Sequence, residues 1–315
     1  MKDIKYKKNV LKKFKNIFNK KFNKKISFYL SLYRAPSFLK NFINSGDNKF
    51  RAALSYLLSE KEEEGIIIGS AAEISWAGIV ILDDIGDLSE KRRGKISIWK
   101  KYGLLKSSHS ALMAIQIAEF ILKDNQLYDS LFLFQKATFK TIIAQIEQNN
   151  FNSSTSSNRV LNNYLWKTAL GRWGIEAIIR RHRYLSQQEK SILIILNQLL
   201  SVVAQIKNDL DDFQEAGDYE TSFKDIRSKC VNYPLSLFFE RSNKQDVRYF
   251  LKKYWGNNNL EAKDKKKIIV LLEKYKAISD ARNRSKILLE ESLRCLALVK
   301  NKKFKKVLFE WIKIF

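Results

Sequence analysis

Apolar residues recur at spacings of three, four and seven along most of this chain, which is the pattern of helices with a buried face. After residue 46 the pattern predicts successive helices over 50–64, 66–87, 110–124, 131–148, 163–182 and 188–213. In the C-terminal third, two further amphipathic stretches cover 266–279 and 284–300. With only 2 prolines and 11 glycines in 315 residues, strands joined by tight turns are not expected. The pattern therefore predicts an all-α fold.

The first 45 residues form a basic N-terminal segment, and residues 46–315 are predicted to form a single helical domain. Within the segment, apolar side chains alternate with lysines at helical spacing, at Ile4, Leu11, Phe14, Phe18 and Phe22. Such a basic amphipathic helix either packs on the core or docks on an anionic membrane or an acidic partner. Both interpretations stay open at this point.

The net charge of +25 is informative about partners and location. No nucleic-acid recognition motif accompanies it, so no nucleic-acid partner is expected. Cys230 and Cys295 have no metal-ligand spacing, which is typical of free thiols in a reducing compartment. No stretch approaches the roughly 18 uninterrupted apolar residues of a membrane span, and no secretory signal is recognisable. These features predict a cytoplasmic protein, either free or peripheral at the membrane.

Three aspartates end the most apolar of the predicted helices, in the sequence LDDIGDLSEKRRGK. Asp83 and Asp87 are four positions apart and share a helix face, with Asp84 to one side. Buried carboxylates without partners cost several kcal/mol. A cationic partner is therefore expected, and a metal ion is the simplest one.

A second acidic cluster, AQIKNDLDDFQEAGD, ends another apolar helix. Asn208 and Asp212 are four positions apart, and Asp209 shares their face. Two such helix ends that face each other would form a cage of oxygen ligands, which suits Mg²⁺ completed by substrate phosphates. Arg92 and Arg93 would then supply bidentate phosphate donors. A solvated helix end explains either cluster alone, but it does not explain both clusters beside an arginine pair.

These motifs resemble those of the trans-isoprenyl diphosphate synthases. DDIGDLSEKRRGK is similar to the family's first aspartate-rich motif, and NDLDD is similar to the second, with Asn in the first place. The resemblance extends to Glu73, to Lys-Thr-Ala at 167–169 followed by Gly171 and Gly174, to Gln205 in AQI, and to DIRSKCVNYPL. It covers roughly residues 46 to 237.

The resemblance implies an isoprenoid-synthase-type bundle around a deep apolar cavity, with three Mg²⁺ ions at its mouth. The implied metal ligands are Asp83, Asp84, Asp87, Asn208, Asp209 and Asp212. The implied diphosphate-binding residues are Arg92, Arg93, Lys167, Lys229 and Arg51. Among these sets, a catalytic role falls to Asp83, Asp87, Asp209 and Lys167. The metal ions and cations would withdraw the diphosphate of an allylic prenyl substrate and leave an allylic carbocation. A homodimer is implied as well.

The chain departs from the family pattern where the second substrate, isopentenyl diphosphate, would bind. Arg51 and Arg93 are in place, but Asn48 stands at the family's lysine position, with Lys49 one residue late. Trp76 stands where the family has His or Gln. Each lost charge-assisted contact costs about 1.5 to 3 kcal/mol, so two losses weaken that site by roughly a hundredfold.

Smaller departures concern the allylic site and the cavity. Gln145 and Gln148 stand at the family's Gln-x-x-Asp, and Lys229 precedes its expected place by one residue, with Cys230 in register. By the family's logic, the absence of large aromatics at Gly78 and Ile79 leaves room for a C15 or longer chain. His109 and His182 have no partners at ligand spacing, and no chemistry is assigned to them.

Three interpretations of Trp76 remain open: a core side chain, a wall across the second diphosphate site, or a platform for a non-isoprenoid acceptor. Because the metal site is intact and the second site is altered, the sequence narrowly favours a terpene-synthase-like diphosphate lyase that cyclises or quenches the cation. The alternatives are a chain-elongating prenyltransferase that adds isopentenyl diphosphate, and prenyl transfer to a non-isoprenoid acceptor. A catalytically silent subunit has no need for both metal clusters, so their retention argues against it.

Overall fold

The computed structural model describes residues 2–45, 49–92, 94–213 and 222–314, and over these the all-α prediction is confirmed. The predicted site residues Asn48 and Arg93 lie outside the described residues. The helices are α1 Lys2–Lys21, α2 Asn23–Leu32, α3 Ser37–Ser45, α4 Phe50–Leu58, α5 Glu62–Gly86, α6 Ile98–Tyr102, α7 Leu104–Asp124, α8 Tyr128–Gln148, α9 Ser157–Lys167, α10 Ala169–Arg181, α11 Gln187–Asp211, α12 Lys224–Arg227, α13 Tyr233–Arg241, α14 Lys244–Lys253, α15 Ala262–Lys274, α16 Ala277–Leu298 and α17 Lys302–Ile312.

Two short strands, β1 Lys91–Arg92 and β2 Lys95–Ile96, pair antiparallel directly after α5. Gly94 has a φ of +72° in the turn between them, a conformation that glycine adopts without a steric penalty. The sequence pattern did not predict this hairpin. It fixes the position of Arg92 beside the aspartates.

Helix α5 is central because it packs against α4, α7 and α10 and is buried on nearly every side. Glycine permits its closest contact: a Cβ on Gly78 would lie 2.6 Å from the carbonyl oxygen of Ala111 on α7. The helix backbones therefore meet almost directly at this point. The end of α5 that carries the aspartates is held in place by this packing.

Helix α11 connects two hydrophobic clusters. Its first half contributes Leu193, Leu196 and Leu200 to the cluster that contains α5, and its second half contributes Val202 and Val203 to the cluster beneath α13–α16. A capping box between Ser186 and Glu189 fixes its start. Its C-terminal end carries the second acidic cluster to the same region as the end of α5.

The apolar stripe of α1 is part of the core. Val10, Phe14, Phe18 and Phe22 are each at most 6% exposed, and α1 packs against α4. The interpretation of a helix packed on the core is therefore confirmed. Membrane attachment would have to rely on the lysines of the opposite face, and it stays a prediction.

Two helices, α5 and α11, are long and apolar enough to cross a membrane by length and composition alone. However, 83% of the apolar window of α5 and 44% of that of α11 are buried inside the molecule. The composition of α5 is that of a core helix.

Candidate active site

The three aspartates of the first acidic cluster lie at the C-terminal end of α5. Asp84 is buried, at 3% exposure of its side chain, whereas Asp83 and Asp87 keep 28% and 22% of theirs. The packing of α5 therefore leaves two carboxylates partly exposed and one buried at the junction between the ends of α5 and α11, which we call the cleft.

Each of these aspartates faces one cation from a different element. Arg92 of β1 donates from Nη1 to Asp84 Oδ1 at 3.0 Å. Lys167 Nζ lies 3.9 Å from Asp83 Oδ1, and Lys224 of α12 donates from Nζ to Asp87 Oδ2. The structure thus brings the predicted residues Arg92 and Lys167 to the first cluster, and it adds Lys224.

Lys167 reaches the site because the chain breaks between α9 and α10 at Thr168, whose hydroxyl bonds to the carbonyl of Tyr164 at 2.7 Å. Nη1 of Arg172 donates to the neighbouring carbonyl of Leu165 at 2.6 Å, so this carbonyl has a hydrogen-bond partner although the helix is interrupted. Lys167 is consequently the last residue of α9 and projects toward Asp83.

Burial and mutual repulsion raise the pKa of two of the three carboxyls. Burial raises the pKa of Asp84 to about 7 against the attraction of Arg92, and burial together with the charge of Asp83 raises that of Asp87. At Asp83 burial also acts upward, but Lys167, Lys224 and Arg92 together lower the pKa below its usual value. Asp84 Oδ2 is buried without a hydrogen-bond partner among the described residues.

In the second cluster, Asp209 is tightly held by donors from three helices. Tyr164 donates its hydroxyl to Oδ2, the amide of Tyr233 donates to Oδ2 at 3.2 Å, and Gln205 donates to Oδ1 at 3.0 Å. Burial, and then the charge of Asp225, still raises the pKa of Asp209 to about 7. The predicted residue Asn208 is exposed.

Asp212 links the second cluster to the short helix α12. Its two carboxylate oxygens accept the amides of Lys224 at 2.7 Å and Asp225 at 3.1 Å. Asp225 in turn accepts from the side chain of Asn232 at 2.7 Å. Since Lys224 also bonds to Asp87, a continuous chain of contacts joins the ends of α5 and α11. Lys224 and Asp225 were not among the predicted site residues, although Asp225 opens the quoted segment DIRSKCVNYPL.

The donor set fits divalent cations, although no three His, Cys, Asp or Glu side chains among the described residues form a ready ligand group. The reason is visible in the contacts, because lysine and arginine side chains lie between the carboxylates. Among the described residues, the carboxylates outnumber the cations beside them: Asp83, Asp84, Asp87, Asp209, Asp212 and Asp225 against Arg92, Lys167, Lys224 and Lys265. The raised pKa values and the unpartnered oxygen of Asp84 are the signs of this missing positive charge.

Lys229 does not lie in the site, in contrast to the prediction. It is exposed, with a φ of +58°, and its side chain lies over Gly256. Cys230 turns inward instead and accepts a hydrogen bond from Gln148 Nε2 at 2.7 Å. Burial, then the charge of Asp225, raises the pKa of Cys230, which keeps the thiol neutral.

At the predicted second-substrate site, the two cations that the structure describes, Arg51 and Lys49, are buried and contact aromatic rings. The Arg51 guanidinium lies 3.7 Å from the ring centre of Trp76 and 4.4 Å from that of Phe50, and Nε donates to the carbonyl of Gly171 at 3.1 Å. Lys49 donates to the carbonyl of Ile43 and lies 4.6 Å from the ring centre of Phe18. The described contacts of both side chains are thus with aromatic rings and backbone carbonyls.

The residues expected to shape the cavity serve helix packing. Gly78 faces the backbone of α7, and Ile79 is 4% exposed within the core. Their small size is therefore explained by the contact of α5 with α7. Gln145 is half-buried on α8, and a chain-length role for these positions stays a prediction.

Residues 39–272 match the family model described as Polyprenyl synthetase. The chain belongs to the polyprenyl synthetase family. This confirms the resemblance to trans-isoprenyl diphosphate synthases. No curated protein sequence matches the chain.

Solved structures with the same fold include geranylgeranyl pyrophosphate synthetase from Pyrococcus horikoshii Ot3, with a TM-score of 0.80 and 19% identity over 98% of both chains. A decaprenyl diphosphate synthase from Rhodobacter capsulatus has a TM-score of 0.81 and 15% identity over 96% of this chain and 98% of its own. A polyprenyl synthase from Caulobacter crescentus CB15, complexed with calcium and isoprenyl diphosphate, has a TM-score of 0.80 and 14% identity over 96% of both chains. Family membership supports prenyltransferase activity, the alternative in the sequence analysis, better than the lean toward cyclisation.

Proposed function

We propose that this polyprenyl synthetase is a Mg²⁺-dependent prenyltransferase that ionises an allylic prenyl diphosphate and joins it to isopentenyl diphosphate. The observation that carries the proposal is the chain of contacts from Asp87 through Lys224 to Asp212, which brings two carboxylate clusters to one cleft. Family membership and the calcium and isoprenyl diphosphate in the Caulobacter crescentus structure support a divalent metal and a prenyl diphosphate.

The residues present account for the binding of metal and diphosphate. Asp83, Asp84 and Asp87 on one side, with Asp209 and Asp212 on the other, would hold the Mg²⁺ ions, three by the family resemblance. Bound Mg²⁺ would stabilise the charge of the departing diphosphate as a Lewis acid. Arg92 and Lys167 would bind the diphosphate oxygens, because both side chains already point into the cluster. The apolar wall of α5 would exclude water from the carbocation.

A product assay tests this proposal. The protein with Mg²⁺ is incubated with geranyl, farnesyl or geranylgeranyl diphosphate, with and without isopentenyl diphosphate, and the products are analysed by mass spectrometry. We expect longer prenyl diphosphates only when isopentenyl diphosphate is present. Asp83→Ala should reduce turnover at least about a hundredfold, since a proposed ligand of the Mg²⁺ that stabilises the departing diphosphate is lost. Asp280→Ala, which removes an exposed acid paired with Arg241, is the matched control and should not change turnover. Elongation that proceeds equally in Asp83→Ala would contradict the proposal.

A second candidate is ionisation without isopentenyl addition, and the stack of Arg51 on Trp76 favours it. Arg51 is the predicted diphosphate-binding cation on α4. Its contact with Trp76 keeps it from the second diphosphate site. The allylic cation would then cyclise, be quenched by water or pass to a non-isoprenoid acceptor. The same assay decides, because this candidate gives terpene hydrocarbons or alcohols whether or not isopentenyl diphosphate is added.

We also propose that two copies of the chain associate through an apolar seam on the neighbouring helices α7 and α8. The seam consists of side chains exposed by 73, 54, 69, 64 and 60%, respectively: Leu105, Leu112, Phe132, Phe139 and Ile146. On each helix these residues are seven positions apart, the spacing that suits packing against a further helix. A second copy supplies a matching seam by symmetry.

A further inference from the structure

The ammonium of Lys224 contacts the first acidic cluster, and the proposed function does not use it. The backbone of Lys224 is fixed, because its amide donates to Asp212 at 2.7 Å and its carbonyl accepts from the amide of Ser228 at 2.8 Å. Its side chain is 30% exposed and extends across the cleft to Oδ2 of Asp87. A fixed backbone with a long, partly exposed side chain lets the ammonium move while α12 stays in place.

The ammonium lies among carboxylates of three elements. Its Nζ donates to Asp87 of α5, the charges of Asp83 and of Asp225 on α12 act on it, and its own charge acts on Asp212 of the second cluster. It therefore stands where a divalent cation shared by the clusters would have to bind. Two positive groups within a few ångströms repel each other strongly in a partly buried site. Metal binding to Asp87 requires that this ammonium leave.

The neighbouring side chains indicate which group the displaced ammonium would bind. Cys230 is neutral and is bonded to Gln148, so the inward-facing position six residues after Lys224 carries no charge. Lys229 lies over Gly256 and does not supply one either. Arg227 of the same helix donates to the carbonyl of Ser222 at 3.1 Å. A diphosphate in the cleft would thus meet Lys224, whose ammonium already reaches Asp87.

We infer that Lys224 is an internal counter-ion of the metal site, which neutralises Asp87 in the metal-free protein and transfers to the diphosphate when Mg²⁺ binds. This inference rests on the proposed function for the identity of the diphosphate. Two consequences of opposite sign follow. Loss of the ammonium strengthens Mg²⁺ binding in the absence of substrate, and it weakens binding of the allylic diphosphate. A lysine that only supported the fold would not produce this pair of effects.

The test compares Lys224→Met, which keeps most of the apolar stem, with the wild type. Isothermal titration with Mg²⁺ alone should give a dissociation constant lowered about fivefold or more, since the competing cation is gone. The KM for farnesyl diphosphate in the presence of Mg²⁺ should rise about tenfold or more, the expected loss of one charge-assisted contact. Lys224→Arg, which keeps the charge, should remain within about twofold of the wild type in Mg²⁺ affinity.

Lys263→Met is the matched control, because it removes a lysine charge that is 69% exposed and paired with Glu261 on the surface. It should leave both values unchanged. Unchanged or weaker Mg²⁺ binding by Lys224→Met, with a melting curve like that of the wild type, overturns the inference. If Lys224→Met does not fold, Lys224→Gln is measured in its place under the same criteria. Wild-type protein that turns over no prenyl diphosphate, but binds Mg²⁺ more tightly once Lys224 is neutralised, rejects the proposed function and leaves the counter-ion role standing.

Discussion

At the scale of single residues, protonation of the acidic cluster is coupled to the proposed binding of metal. Burial raises the pKa of Asp84 and of Asp209 to about 7, far above the ordinary value of 3.8. Both groups therefore bind a proton on folding between about pH 4 and pH 7. The stability of the metal-free protein should fall as the pH rises through this window, because the unfolded chain releases these protons first. Asp83, whose pKa is lowered, contributes in the opposite direction.

Mg²⁺ should therefore stabilise the protein more at pH 8 than at pH 6, because metal ligands must be deprotonated. The melting temperature with and without Mg²⁺ at the two pH values measures the effect. In Asp84→Asn, the rise in melting temperature caused by Mg²⁺ should differ less between pH 8 and pH 6, since one titrating ligand is gone. An equal Mg²⁺-induced shift at both pH values would show that these carboxyls do not titrate near pH 7.

The predictable residues were those whose role depends on local spacing. Asp83 and Asp87 share a face whatever the tertiary structure is, so their pairing was visible in the sequence. The side-chain directions at Lys229 and Cys230 were not, because they follow from the left-handed backbone at Lys229. The contact of Lys224 with Asp87 joins residues 137 positions apart, and no local pattern encodes it.

At the scale of elements, the packing of α5 on α7 depends on the absence of a side chain at Gly78. A Cβ there would lie 2.6 Å from the Ala111 carbonyl oxygen, and backbone cannot yield as a flexible side chain does. The two helices would have to separate, and the aspartates at the end of α5 would move with it.

Gly78→Ala should accordingly lower the free energy of unfolding by about 1 to 3 kcal/mol, the usual cost of overpacking. Gly86→Ala is the control on the same helix, since a Cβ at Gly86 has no atom within 4 Å. Urea unfolding of both variants measures the difference. A Gly78→Ala variant as stable as Gly86→Ala would mean that α5 and α7 do not meet as closely as described.

The helix pattern was largely predictable, and its interruptions were not. Residues 50–64 divide into α4 and the start of α5, since Ser59 takes an extended backbone conformation. The predicted helix 163–182 is divided at Thr168, where Arg172 compensates the lost helical bonds. Hydrophobic periodicity continues across both breaks, so tertiary contacts that no window of sequence contains decide them.

At the scale of the whole molecule, the apolar seam on α7 and α8 leaves five large apolar side chains exposed in the single chain. Phe132→Glu with Phe139→Glu should shift the protein from dimer to monomer in analytical ultracentrifugation, because charges would be buried at the interface. Val270→Glu, at a side chain 69% exposed on α15, is the control and should leave the mass unchanged. A wild-type protein that sediments as a monomer would remove the proposed association.

The two sides of the cleft differ in how firmly they are built. Tyr164, Gln205 and the amide of Tyr233 hold Asp209 from three helices, whereas Asp84 and Asp87 are held by long side chains that reach in from a hairpin and a four-residue helix. Binding of the proposed Mg²⁺ ions would therefore displace side chains on the α5 side of the cleft, whereas Asp209 on the α11 side would keep its supporting donors. Any rearrangement on ligand binding is accordingly expected where the carboxylates are held by Arg92 and Lys224.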